Sequence, residues 1–91
     1  MKSWQLVEVK ETVNPYPIEA QALEILKRPY GWVVTPEEDG RYSGQIMEFP
    51  GCFAQGPTAA ETFDNLREVA LGWIMDQLDK GEPVPEPRVE P

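Results

Sequence analysis

Ninety-one residues with eight Lys and Arg against sixteen Asp and Glu, a net charge of −8 and no His make one domain at most, because a chain this short buries only roughly 60 to 65% of its unfolded surface in one modest core. The acidity repels phosphate backbones, so direct DNA or RNA binding by this chain is not expected. Without His the commonest general base and transition-metal ligand are missing, and the single Cys forms neither an internal disulfide nor a cysteine zinc cage.

A two-domain enzyme is therefore excluded, and no catalytic residue, metal ligand or cofactor is expected. Hydrophobic residues at 41%, with three each of Trp, Tyr and Phe, suffice for a folded core despite the charge. The N-terminus lacks the apolar stretch and small-residue cleavage site of a signal peptide, and no apolar run approaches the ~18 residues of a membrane span. A cytoplasmic location is expected, and a free thiol fits a reducing compartment.

Near the start, Trp4, Leu6 and Glu8 alternate with Gln5, Val7 and Val9, as in a short strand, before Asn14-Pro15-Tyr16-Pro17 breaks the chain. Ile18 to Lys27 is rich in helix formers with apolar residues at helical spacing, and Pro29 stops it. From Tyr30 the period changes to two. Tyr30, Trp32 and Val34 share one face of a strand that Pro36 ends. Glu37-Glu38-Asp39-Gly40 is a hairpin turn leading into an antiparallel strand with Tyr42, Gly44 and Ile46 on its apolar face. Phe49-Pro50-Gly51 turns the chain again into a short third strand, Cys52-Phe53-Ala54-Gln55, which Gly56-Pro57 closes.

Thr58-Ala59-Ala60-Glu61 is a capping box, so a helix starts near Ala59. Phe63, Leu66, Ala70, Ile74 and Leu78 form its apolar stripe, Asp76 and Lys80 an i, i+4 pair, and Gly81 its stop. Val69 and Trp73 widen the stripe on one flank, Leu71 and Met75 on the other. That is more apolar surface than one small sheet needs. Either the N-terminal strand or helix covers it, or a subunit or partner does. Four prolines between Glu82 and Pro91 forbid helix and interior strand, leaving an extended tail.

The succession Lys27-Arg28-Pro29-Tyr30, Asp39-Gly40-Arg41-Tyr42, Glu48-Phe49-Pro50-Gly51-Cys52, Gln55-Gly56-Pro57-Thr58, Glu61, Asn65-Leu66, Trp73-Ile74 and Gly81-Glu82-Pro83-Val84-Pro85-Glu86-Pro87 resembles the HicB family of antitoxins from toxin-antitoxin pairs. The resemblance covers roughly residues 20 to 88. It implies an α+β fold: a three-stranded antiparallel meander, one long helix, and a short C-terminal strand or extended tail, a β-β-β-α-β unit of partial ribonuclease H-like form. It divides the chain into an N-terminal extension at 1–29, holding the short strand and the helix 18–27, a HicB-like domain at 30–87 and a tail at 88–91.

It also implies assembly into dimers or tetramers and a protein partner, a small basic RNA-cleaving HicA-type toxin whose RNA-binding surface the antitoxin masks. Two features depart from the family pattern. Pro57 replaces a commonly acidic residue, and the DNA-binding segment that often follows the Pro-rich stretch does not appear before Pro91.

Ribonuclease H-like catalysis needs carboxylates converging from strands and helix on two metal ions, and the expected strand interiors lack them. Cys52 has no His to act as its base and is expected to be a small buried hydrophobe. The residues expected to meet a partner are Glu37, Glu38, Asp39, Glu48 and Trp73. Pro50, Gly51, Cys52, Gly56, Thr58 and Glu61 are expected to shape the scaffold.

Overall fold

The computed structural model describes residues 17–88; the expected strand over residues 4–9 lies outside them. The elements run α1 (Ile18–Leu26), β1 (Trp32–Pro36), β2 (Tyr42–Ile46), β3 (Phe53–Gly56) and α2 (Ala59–Lys80). The strands form one antiparallel sheet in the order β1-β2-β3, so the fold is α+β as expected. Strand β1 begins at Trp32, not Tyr30, and includes Pro36, which pairs with Tyr42. A proline is tolerated there because, among the described residues, β1 is an edge strand and Pro36 its last rung.

The period-two reading gives the observed register. Trp32 lies opposite Ile46 and Val34 opposite Gly44, and this face packs against α2 while Val33, Thr35, Phe53 and Gln55 point away from it. Helix α2 lays Thr62, Leu66, Ala70 and Ile74 on the sheet, an unbroken i, i+4 line. Phe63, expected in that stripe, is instead 41% exposed, since it sits about 100° round the helix from Thr62. Leu78 is half-buried.

A nine-residue helix does not hold itself in water, and α1 has no side-chain cap at Pro17. It persists because Ala22 and Leu26 pack into the same core as Ile46, Phe49, Cys52, Leu66, Ala70 and Ile74, with α1 against α2. Each fully buried Ile, Leu or Phe contributes about 1.5–3 kcal/mol. Half-buried Leu71 and Met75 pack against this core as well. The apolar surplus of α2 is thus partly taken up inside the chain.

Thr58 caps α2 by accepting from the Glu61 N–H at 3.1 Å. The Glu61 carboxylate accepts from the Thr58 hydroxyl at 3.0 Å, closing the box through the side chain. Gly81, at φ 72°, ends the helix with its N–H on the Gln77 and Leu78 carbonyls. Beyond it, residues 82–88 form an extended tail with no strand among the described residues. The tail turns back over the molecule: Gln77 donates to the Pro83 carbonyl at 3.0 Å and the Tyr30 hydroxyl to the Pro85 carbonyl at 2.7 Å.

Candidate functional site

Two groups of the expected partner residues separate in space. The first is the β1–β2 hairpin. Its turn closes with the Glu37 N–H on the Arg41 carbonyl at 2.8 Å and the Gly40 N–H on the Glu37 carbonyl at 3.1 Å. Asp39 accepts the Arg41 N–H at 3.0 Å through Oδ1, the local bond that makes Asp a turn residue. Glu37 Oε2 accepts from the Ser43 hydroxyl at 2.5 Å. Two of the three adjacent carboxylates are therefore held in place. Glu38 makes no hydrogen bond or ion pair among the described residues. Glu37, Glu38 and Asp39 are all exposed, so the turn offers a preset anionic tip to cationic groups.

The second group faces inward. Glu48 was expected to meet a partner, but it is only 6% exposed. Its Oε1 accepts the Gly31 N–H at 3.0 Å and its Oε2 the Arg88 N–H at 2.7 Å. Burial pushes its pKa up, but the N–H groups of Arg88 and Gly31, its own N–H and the Arg88 charge prevail and hold the carboxyl below the ordinary glutamate range. One carboxylate thus ties the approach to β1 to the C-terminal tail. No local pattern announces this, because its partners lie 17 and 40 residues away.

Trp73 is half-buried and held within the chain. Its indole stacks on Phe49 with centroids 4.5 Å apart and planes within 6°, and its N–H donates to the Pro50 carbonyl at 3.2 Å. Tyr30 lies on the other side of the series, 4.6 Å from the Phe49 ring. Buried Phe49 is therefore the middle of three aromatic rings. Burial raises the Tyr30 pKa, with Arg28 opposing, so the hydroxyl keeps the proton it gives to Pro85.

The expected scaffold residues gather around this interior. The Cys52 N–H bonds the Phe49 carbonyl at 3.1 Å, and Gly51 supplies φ 80° at the third turn position, as a type II turn with Pro at its second position requires. Cys52 is fully buried, and burial raises its thiol pKa, so little nucleophilic thiolate is present. Gly56 lies under the first turn of α2, where a Cβ would stand 2.9 Å from the Thr62 nitrogen. Among the described residues no cluster of three or more His, Cys, Asp or Glu side chains is arranged around a metal position.

The strand order, the capped helix on one face and the anchored Pro-rich tail define a small α+β domain with an acidic hairpin. The UPF0150-like family model matches residues 33–85, and the chain belongs to that family. It is 33% identical to a UPF0150 protein of Thermoplasma acidophilum over 61 residues, 67% of this chain and 88% of the relative. It is 35% identical to a UPF0150 protein of Synechocystis over 43 residues, 47% of this chain and 62% of that one. No helix among the described residues is long and apolar enough to cross a membrane.

Proposed function

We propose that this chain is a HicB-like antitoxin that binds and neutralises a small basic RNA-cleaving toxin of the HicA type, without itself being an enzyme. The observation that carries the reading is the exposed hairpin with three adjacent carboxylates, two fixed by Ser43 and the Arg41 N–H, on a chain of net charge −8. Family membership supports it, as does the order of elements, which fits a partial ribonuclease H-like unit. An acidic surface steers a basic partner into encounter and takes the place of RNA phosphates on the same Lys and Arg side chains. On this reading the protein acts in the cytoplasm, as a dimer or tetramer, and masks the RNA-binding surface of the toxin.

The test is to purify the protein with the product of the small reading frame beside its gene and to measure complex formation and RNA cleavage, by that product alone and mixed. A stable complex that abolishes cleavage supports the reading. A neighbour that neither binds nor cleaves overturns it in favour of an orphan module that assembles with itself or holds a small ligand. Cleavage by this chain alone would restore catalysis to it.

A further inference from the structure

An aromatic groove rimmed by cations opens where the end of α1, the start of β1 and the first half of α2 meet. Its volume is about 330 Å³, within the range of pockets that hold small molecules or a few side chains. Trp32 and Phe63 form its floor, their rings tilted by 35° with centroids 4.8 Å apart, and two leucines of α1 line one wall. Lys27, Arg28 and Arg67 stand around it. Those are three of the six cationic residues between positions 17 and 88, in a chain with twice as many acids as bases. No carboxylate lines the groove.

Lys27 and Arg28 follow the C-terminal end of α1, where cations are favoured by the helix dipole. Arg67 has no such reason to be there: it lies inside α2, one turn beyond Phe63, and makes no ion pair among the described residues. Lys27 meets Glu24 at 3.0 Å and Arg28 meets Glu86 at 3.5 Å, with Lys27 and both carboxylates largely in solvent and the Arg28 side chain more than half covered. Exposed pairs of this kind hold weakly and exchange partners readily.

We propose that this groove binds a short acidic peptide segment of another protein, with an aromatic or branched side chain on Trp32 and Phe63 and flanking carboxylates on Arg67, Lys27 and Arg28. The aromatic floor supplies apolar area, and Arg67 supplies the two-pronged donor geometry that carboxylates prefer. At physiological salt a charge is felt over ~8 Å, so a segment in the groove competes with Glu24 and Glu86 for Lys27 and Arg28 and finds in Arg67 the cation that no described carboxylate pairs. A nucleic acid strand extends its phosphates past the rim onto the acidic remainder of the surface and is disfavoured. The site is distinct from the acidic hairpin, and its cations repel a basic toxin.

The full chain is titrated with a labelled capped peptide containing Glu-Phe-Glu, with its Lys-Phe-Lys and Glu-Ala-Glu counterparts, and with a short single-stranded RNA. The acidic aromatic peptide is expected to bind saturably and the other two peptides not. Arg67→Glu, with an unchanged circular dichroism spectrum, is expected to weaken binding about tenfold, and Arg67→Lys to keep most of it. Phe63→Ser provides a second variant that removes the floor and leaves every charge. Equal binding of the Glu and Lys peptides, affinity indifferent to both substitutions, or tighter binding of the RNA at the same residues overturns the proposal. A failed toxin assay leaves this result untouched, since Arg67 and Phe63 take no part in that reading.

Discussion

Glu48 shows what one buried carboxylate does when both of its oxygens are used. Hydrogen bonds to a charged group contribute about 1.5–3 kcal/mol, and a buried donor left without a partner costs about 1–3 kcal/mol. Glu48→Ala removes the acceptor of the Gly31 and Arg88 N–H groups; that of half-buried Gly31 is left short of a partner while that of exposed Arg88 turns to water, so the fold is expected to lose about 2 kcal/mol, and Glu48→Gln, which keeps one acceptor, about half that. The folded-state pKa lies below the ordinary one, so this stabilisation is fully present above the unfolded-state value of about 4.3 and is lost as the pH falls through the folded-state value. Urea unfolding of wild type and Glu48→Gln at pH 7 and near pH 3 checks this. The difference between the two should shrink in acid, and a difference that stays constant would mean that the charge is not what holds the tail. In the sequence Glu48 reads as an acid just past a strand, open to a partner. Its role depends on Gly31 and Arg88 arriving from elsewhere, and no local period encodes that meeting.

At the scale of elements, the parts legible in the sequence are those with a local cause. The capping box, the prolines, the change of period at β1 and the Asp39-Gly40 turn each specify their own neighbourhood, and all five elements occur in the expected order, with β1 starting two residues later than the period suggests and running through Pro36, and β3 shifted by one residue to Phe53–Gly56. What was not legible is how α2 is rotated on the sheet. The expected stripe of Phe63, Leu66, Ala70, Ile74 and Leu78 and the buried line of Thr62, Leu66, Ala70 and Ile74 share three positions and part at the first turn, where a buried Thr is no apolar signal. Gly56 decides between them. A Cβ there would press on the backbone of Thr62, with its nitrogen 2.9 Å and its Cα 3.2 Å away, so only glycine lets the first turn of α2 lie on β3 with Thr62 inward. Gly56→Ala is expected to cost about 2–3 kcal/mol, as overpacking against an immobile neighbour does. Thr58→Ala, which removes a cap and leaves the packing alone, is expected to cost about 1 kcal/mol. Thermal unfolding of the two variants side by side tests the order. If Thr58→Ala proved the worse, the end of the helix rather than its contact with the sheet would be fixing the rotation of α2.

For the whole molecule the distribution of charge matters more than its sum. The interior binds its own acid at Glu48, the hairpin displays three acids at one end of the β1–β2 pair, and the groove beside α1 collects half of the cations between positions 17 and 88. Net charge alone points toward basic partners and gives no sign of the cationic groove, because composition averages over positions that folding separates. If the hairpin steers a basic toxin, replacing Glu37, Glu38 and Asp39 with Lys acts mainly on encounter. The association rate is then expected to fall about 10- to 100-fold at low ionic strength, with the dissociation rate changing far less, because steering is a long-range effect and rim charges contribute little once the complex has formed. Raising the salt concentration shortens the range of the field and should bring the rates of wild type and variant together. Stopped-flow association over a salt series separates this from the alternative. A variant whose loss appears wholly in dissociation, at every salt concentration, would place the three carboxylates inside the contact itself, paired with desolvated Lys or Arg of the toxin. The Glu37–Ser43 bond would then be part of the docked geometry rather than a brace for a distant field.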